Sequence, residues 1–316
     1  MAITMKANRI HVFGSPEVIL FEDVPRPTPS TGEVLVRVHA AGVGPWDASV
    51  RAGHSALPQP LPLTLGADLA GIVEAAGSSD SPFSVGDEVF GVTNPRFTGA
   101  YAQYAVAFTR MLAHKPRRHD FIESAAVPVI AVTARQMLFR HGRVQPGERV
   151  LVQGGAGNVG AYAVQFAHAA GAHVIASVLP RQKEEAVRLG ADEVISLPSD
   201  EAPPLRGTVD TVIDTVGGKA QRELFAFVRK GGLLVSSVSA PDPHLAQQCD
   251  IEAKFMLVEV STEDLAAVAD LLDAQRLPVR IGQVLSLGEA RQAHEMLEGL
   301  RPLPAGKLLL NALGDS

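Results

Sequence analysis

Cysteine is almost missing from this chain. Cys249 is the single thiol in 316 residues, which excludes an internal disulfide and a thiolate-rich zinc site and fits a reducing compartment. Basic charge is in deficit: 28 Lys and Arg stand against 34 Asp and Glu, for a net charge of -6. The one basic cluster, Lys115-Pro116-Arg117-Arg118-His119, is too short to track a phosphate backbone, so a nucleic-acid partner is not expected. Long apolar runs are also absent. No stretch approaches the ~18 to 20 apolar residues of a membrane span, and residues 1–12 alternate like a strand where a signal peptide would carry a continuous apolar core. These absences predict a cytoplasmic protein with no membrane partner. The ten histidines show no H-x-x-x-H pair or shared helical face. No Ser-Lys-Tyr set, paired carboxylate or nucleophile with a base stands out, so no catalytic acid or base is assigned.

What is present has the balance of a folded enzyme, with 46% hydrophobic and 20% charged residues. At about 150 residues per domain the length predicts two domains, and such a chain buries roughly three quarters of its unfolded surface without disulfide or metal. The most informative segment runs from Glu148 to Gly160. Val150 to Gln153 read as a buried strand, Gly154-Gly155-Ala156-Gly157-Asn158-Val159-Gly160 as a glycine-rich turn, and Ala161 to Ala170 as a helix. In the G-x-G-x-x-G pattern Gly155 permits the tight turn, Gly157 lets the backbone approach phosphates, and Gly160 lets the helix pack against its strand. The free N–H groups of the helix start then face an anion, so the pattern predicts a pyrophosphate site.

Around that site the chain changes language. Residues 34–40, 70–75, 88–92 and 100–106 carry β-branched or alternating residues between Gly and Pro, which predicts a mainly β domain. Residues 123–140 are helix-like apart from Pro128, and a strand–helix alternation begins at Arg149. Strands are expected at 149–153, 173–177, 193–196, 208–214 and 232–238, with helices at 181–189 and 219–228, which reads as a parallel doubly wound sheet. Three prolines between Leu197 and Gly207 forbid a regular crossover helix and predict an extended strap. The tail carries helices at 263–274 and 288–299 and strands at 279–284 and 307–311. It is expected to complete the first domain, giving 1–120 and 262–316 as one domain and 121–261 as the other.

These pieces in this order resemble the medium-chain dehydrogenase/reductase superfamily, and within it the zinc-independent quinone oxidoreductase group. Ala41-Gly42-Val43-Gly44-Pro45-Trp46-Asp47 is similar to that group's G-V-N-P-x-D segment, and Leu65-Gly66-Ala67-Asp68-Leu69-Ala70-Gly71 to its G-x-D-x-x-G turn. Ser84 to Val89, Gly99 to Tyr104, Thr133-Ala134, Gln145-Pro146-Gly147, Asp214 to Gly218 and Gly306-Lys307 continue the resemblance. It implies an α/β protein, with a Rossmann sheet domain beside a discontinuous, mainly β, GroES-like catalytic domain. Two positions depart from the pattern: Gly44 stands where the family often has Asn, and Asn158 where it usually has Gly. Zinc-dependent members place Cys and His-Glu in the first two segments. Gly44 and Ala67 fall where Cys and His would sit and carry no ligand, and Asp47 and Asp68 alone are too few, so no metal is expected.

About twenty residues past the first glycine, where an NAD enzyme places an acid for the ribose, this chain has Ser177. Arg181, four residues on, offers a guanidinium to a 2′-phosphate, so the expected cofactor is NADPH. Cofactor contacts are expected from Gly155, Ala156, Gly157, Asn158, Val159, Gly160, Ser177, Arg181, Val216, Val238 and Ser239. The resemblance implies Thr133 beside the nicotinamide and Pro45, Trp46 and Asp47 across the cleft from it. Trp46, the only tryptophan, and Phe97 are the candidate substrate walls. Asp47 is expected as an acceptor holding its loop and, if exposed, as an ionised carboxylate.

Without a Lewis acid the chemistry favours acceptors that take hydride unaided, namely quinones and α,β-unsaturated carbonyls. An enoyl-thioester reductase and a non-catalytic NADPH-binding protein are the rival readings. Phe255-Met256-Leu257-Val258 resembles the edge strand that related proteins pair across a two-fold axis, which predicts a homodimer.

Overall fold

The alternation of short apolar strands with helices after residue 148 produces, in the computed structural model, a six-stranded sheet with every pairing parallel. The structure describes residues 3–196 and 205–314. These residues form two units, Met1–Val129 with Val260–Ser316, and Ile130–Glu259.

In the second unit the strands lie in the spatial order Glu193–Ile195, His173–Ser177, Arg149–Gln153, Val209–Asp214, Val228–Ser236, Glu252–Phe255. The sheet is built outward from Arg149–Gln153, with two strands added on one side and three on the other. That is the doubly wound order, whose direction of winding reverses between Arg149–Gln153 and Val209–Asp214. Val150, Leu151, Val152, Val212 and Ile213 have no solvent exposure, which is why these strands read as unbroken apolar runs instead of alternating ones.

Several expected boundaries moved. The helix expected at 219–228 ends at Leu224, because Phe225 and Phe227 turn into the core and Val228 already pairs with Val209. The run Phe255 to Val258 is not an edge strand. The strand is Glu252–Phe255, and Met256 beyond it is buried, its N–H bonding to the Ser236 carbonyl. Residues 123–140 divide into the helices Phe121–Ala125 and Pro128–Arg135 and a wider π-type turn at Gln136–His141. Asp120 caps the first of these through the Glu123 N–H at 2.7 Å. The strap expected before Gly207 falls on residues 197–204, outside the described residues.

In the first unit the long strand Glu33–Val43 is the organiser. It pairs antiparallel with Asp68–Ala76, Tyr104–Phe108 and Lys307–Asn311, so the chain's last strand closes against one of its first. Ile281–Ser286 extends that sheet parallel to Lys307–Asn311, and Glu88–Val92 and Leu112–His114 extend the other side. A smaller sheet joins Leu20–Pro25, Thr4–Ile10 and Leu63–Thr64. The core beneath gathers Val34, Val36, Val38, Leu65, Leu69, Leu112, Leu308 and Leu310. Phe121–Ala125 packs on Glu33–Val43 and Asp68–Ala76, which moves the unit boundary from the expected 120–121 to 129–130.

Candidate functional site

In the second unit the carboxyl ends of the parallel strands carry the glycine-rich turn. Arg149–Gln153 ends at Gly154, whose φ of +77° lies in the left-handed region. The tight turn therefore belongs to Gly154 and not to Gly155, where the G-x-G-x-x-G pattern had assigned it. Gly155 is bare for a different reason: a Cβ there would stand 2.9 Å from the Ala176 methyl on the neighbouring strand. The N–H groups of Gly154 and Gly155 both donate to the Ser177 carbonyl, at 2.9 and 3.1 Å. Gly157 caps the helix Asn158–Ala169, and a Cβ on it would meet only the Gly154 carbonyl oxygen, at 3.1 Å. A Cβ on Gly160 would overlap that same oxygen, so the helix sits on its turn as closely as backbone allows. The amides of Val159 and Gly160 belong to the first helical turn, where the helix provides no carbonyl partner. An open face at Gly157 beside a helix start fits a pyrophosphate.

The neighbouring strand ends complete this edge. Asp214, fully buried at the end of Val209–Asp214, accepts from the N–H groups of Val216 and Gly217, from Gln221 Nε2 and from Ser236 Oγ, all at 2.9 to 3.0 Å. It thereby fixes a turn in which Gly217 and Gly218 have φ of +71° and +62°. Ser239 Oγ accepts from the Gly218 N–H at 3.1 Å, and Val238 and Ser239 crowd Gly217. A Cβ at Gly154 would stand 2.9 Å from Val216 Cγ2. Gly154 to Gly160, Ser177, Val216, Val238 and Ser239 thus share one edge, at the point where the winding reverses. Ser177 is buried with its carbonyl spent on the turn. Its contribution is that the strand ends without a carboxylate. Arg181 is exposed on the short turn Pro180–Gln182 and has no ion pair among the described residues. Thr133 is buried in Pro128–Arg135. Gly154 and Gln221 are site-building residues that sequence reading did not assign, whereas Asp214 lies in a segment that carried the resemblance, after an apolar strand and before a Gly-Gly pair.

In the first unit, Pro45, Trp46 and Asp47 open the helix Pro45–Arg51. Asp47 Oδ2 accepts from the Gly44 N–H at 2.8 Å and from the Tyr101 hydroxyl at 2.9 Å. It holds its loop as expected, but it is completely buried instead of exposed. Burial, and to a smaller extent Asp68, pushes its carboxyl up to about 7 against the opposing pull of Lys307, the Gly44 N–H and the Tyr101 hydroxyl. Its Oδ1 is buried with no partner among the described residues.

Next to it lies an ion pair that crosses a strand. Lys307 Nζ donates to Asp68 Oδ2 at 2.8 Å, with both side chains sealed from solvent. Asp68 Oδ1 accepts from the Val129 N–H at 3.0 Å. Burial pushes the Asp68 carboxyl up, and Lys307 pulls against it. Strand pairing explains the meeting. Asp68 and Lys307 lie on the two neighbours of Glu33–Val43, and the residue between them is Gly42, where a Cβ would stand 2.8 Å from Asp68 Cβ and 2.9 Å from Lys307 Cε. The ammonium also lies 4.2 Å from the centroid of the Trp46 ring. That ring occupies the space above Gly44: a Cβ on Gly44 would overlap it.

Behind Tyr101 a second buried group closes the helix. Arg51 donates to the Gly14 carbonyl at 3.0 Å, bonds His294 Nδ1 at 3.1 Å and pairs with Glu298. Burial and Arg51 push the His294 imidazole down to about 3. Phe97 is half-buried in a loop with φ of +61°, its N–H bonded to the Asn94 carbonyl. Among the described residues no three His, Cys, Asp or Glu converge as metal ligands would. No helix among them is long and apolar enough to cross a membrane.

Comparison with known proteins matches residues 30–117 to the alcohol dehydrogenase GroES-like domain and residues 189–310 to a zinc-binding dehydrogenase family. The quinone oxidoreductase of Homo sapiens is 38% identical over 194 residues, covering 61% of this chain and 58% of the human protein. That of Rattus norvegicus is 32% identical over 310 residues, covering 92% of this chain and 93% of the rat protein. The solved structure of the quinone oxidoreductase from Coxiella burnetii superposes with a TM-score of 0.89 at 31% identity, over 98% of this chain and all of the other.

Proposed function

The chain belongs to the medium-chain dehydrogenase/reductase superfamily, in its quinone oxidoreductase group, and from that membership we propose an NADPH-dependent oxidoreductase that transfers hydride to a quinone or an α,β-unsaturated carbonyl without a metal. The observation that carries the reading is the glycine-rich edge of the parallel sheet. Gly157 leaves room for a pyrophosphate, and the amides of Val159 and Gly160 point their dipoles at it. When bound, the reduced nicotinamide supplies the hydride.

The work of the chain's own residues is to bind and orient. Gly155 to Gly160 hold the diphosphate. Asp214, through the turn it clamps, sets Val216, and beside it stand Val238 and Ser239, along the cofactor's path over the strand ends. Thr133 and the segment Pro45 to Asp47 are proposed to contact the nicotinamide end, and Trp46 and Phe97 the acceptor. Donor chemistry supports the metal-free reading: Gly44 and Ala67 cannot ligate, while Asp68 is already bound to Lys307.

NADPH is favoured because the strand His173–Ser177 ends without an acid and Arg181 stands exposed just beyond it, with no ion pair among the described residues. The test compares dissociation constants for NADPH and NADH in the parent and in Arg181→Ala. The expected result is a preference for NADPH that falls about tenfold in the variant, the size of an exposed charge-assisted contact to a phosphate. Equal affinities in the parent would remove the assignment. Turnover with quinones against acyl thioesters separates the reductase reading from the enoyl-thioester one, and silence with both leaves a binding protein. A homodimer is proposed on the resemblance, with sedimentation as its check.

A further inference from the structure

Trp46 and Gly44 are coupled. The indole sits where a side chain at 44 would project, since even a Cβ there would overlap its six-membered ring. The G-V-N-P-x-D pattern has a carboxamide at that position. This chain therefore trades a hydrogen-bonding group for an aromatic surface.

The surface is also held stiffly. Trp46 lies between two anchored residues, because Gly44 N–H donates to Asp47 Oδ2 at 2.8 Å and Asp47 N–H to the Gly44 carbonyl at 3.0 Å. Tyr101 pins the same carboxylate at 2.9 Å, and the Lys307 ammonium stands 4.2 Å from the ring centroid. The residue is only partly buried, yet its Nε1 is sealed in protein. What Trp46 shows to solvent is thus carbon and not its N–H donor.

We propose that Trp46 is the specificity-determining residue for the acceptor, and that it selects planar aromatic acceptors, quinones, over acyclic enones. This deepens the reductase reading and rests on it. A rigid aromatic ring loses little freedom when a planar quinone stacks on it. An acyclic enone offers less area to that wall, and the missing carboxamide at 44 leaves stacking as the main contact for either acceptor.

The experiment measures kcat/KM with NADPH for naphthoquinone and for an acyclic pentenone in the parent, Trp46→Phe and Trp46→Leu. The quinone-over-enone ratio should fall about tenfold in Trp46→Leu, the size of one aromatic stacking contact, and by less than about threefold in Trp46→Phe, which keeps a ring. An unchanged ratio in Trp46→Leu overturns the proposal. If that variant fails to fold, the smaller fall in Trp46→Phe and the parent's fluorescence decide. Because Trp46 is the only tryptophan, its emission reports the contact without turnover: naphthoquinone should quench it saturably in the NADPH-free protein. Absence of saturable quenching overturns the stacking wall whatever the rates. A parent that is quenched saturably but reduces neither acceptor sinks the reductase reading and leaves the aromatic site standing.

Discussion

Removing the Lys307 ammonium should unbalance the first unit more than any other single change at the site. Lys307 and Asp68 are 1% and 0% exposed and 2.8 Å apart, so Lys307→Met leaves a carboxylate in the interior with only the Val129 N–H to oppose its charge. Breaking a buried pair from one side costs about 3 to 5 kcal/mol, most of it the isolated charge. The Trp46 face loses its cation as well, for about a further 1 kcal/mol. Urea unfolding should show the loss as a lower midpoint at unchanged slope.

The pH dependence gives the mechanism away. Without Lys307 the folded Asp68 carboxyl is pushed further above its unfolded value. A raised acid contributes stability that is complete below the unfolded pKa and is lost as pH rises through the folded one. The deficit of Lys307→Met relative to the parent should therefore be larger when measured at neutral than at mildly acidic pH, with a slope of at most about 1.4 kcal/mol per pH unit. Adding Asp68→Asn removes the orphaned charge and should return most of the loss. A Lys307→Met protein within about 1 kcal/mol of the parent at both pH values would refute the argument, since no charge would then have been stranded.

Gly42→Ala should clash with the Ala125 carbonyl oxygen, 2.6 Å from the new Cβ, and with Asp68 and Lys307 at 2.8 and 2.9 Å; a loss of about 2 kcal/mol or more in urea unfolding is expected, as for overpacking against backbone combined with a stretched ion pair. Gly160→Ala should lift the helix Asn158–Ala169 off its turn, weakening NADPH binding in calorimetry by about tenfold or more while costing the fold about 1 to 3 kcal/mol. Asp47→Asn should gain stability relative to the parent as pH rises from about 4 to about 7, by as much as about 4 kcal/mol, because the parent's buried carboxyl titrates near 7 and its stability is lost as pH climbs toward that value; unfolding midpoints measured across that interval check it. His294 works in the opposite direction, its depressed imidazole costing stability as pH falls below about 6.5, so the slope belonging to Asp47 is seen by comparing variants and not from the parent curve alone.

The glycine-rich edge was legible in sequence because its cause is local. A buried strand, a left-handed turn and a helix packed on that turn are decided by neighbours in the chain, so Gly157 and Gly160 could be assigned their roles before any fold was known. Where the reading slipped, as with the left-handed residue being Gly154, the error was a single position within a Gly-Gly pair. The first unit's cluster is of another kind. Asp47, Asp68, Tyr101 and Lys307 are scattered over most of the chain; each lies in a segment that carries the family resemblance, but nothing local says that they meet. Only the antiparallel pairing of Glu33–Val43 with Asp68–Ala76 and with Lys307–Asn311 sets an acid and an ammonium on either side of Gly42. Once there, burial reverses the expectation for Asp47, because a carboxyl's charge is decided by the dielectric around it and not by its neighbours in sequence. Sequence alone determined the strand–helix alternation of the second unit and the glycine-rich turn on which the proposed phosphate site rests, since short-range sterics settle both. The tertiary structure decided which charges meet, since Asp68 and Lys307 come together only when strands from opposite ends of the chain pair on either side of Gly42.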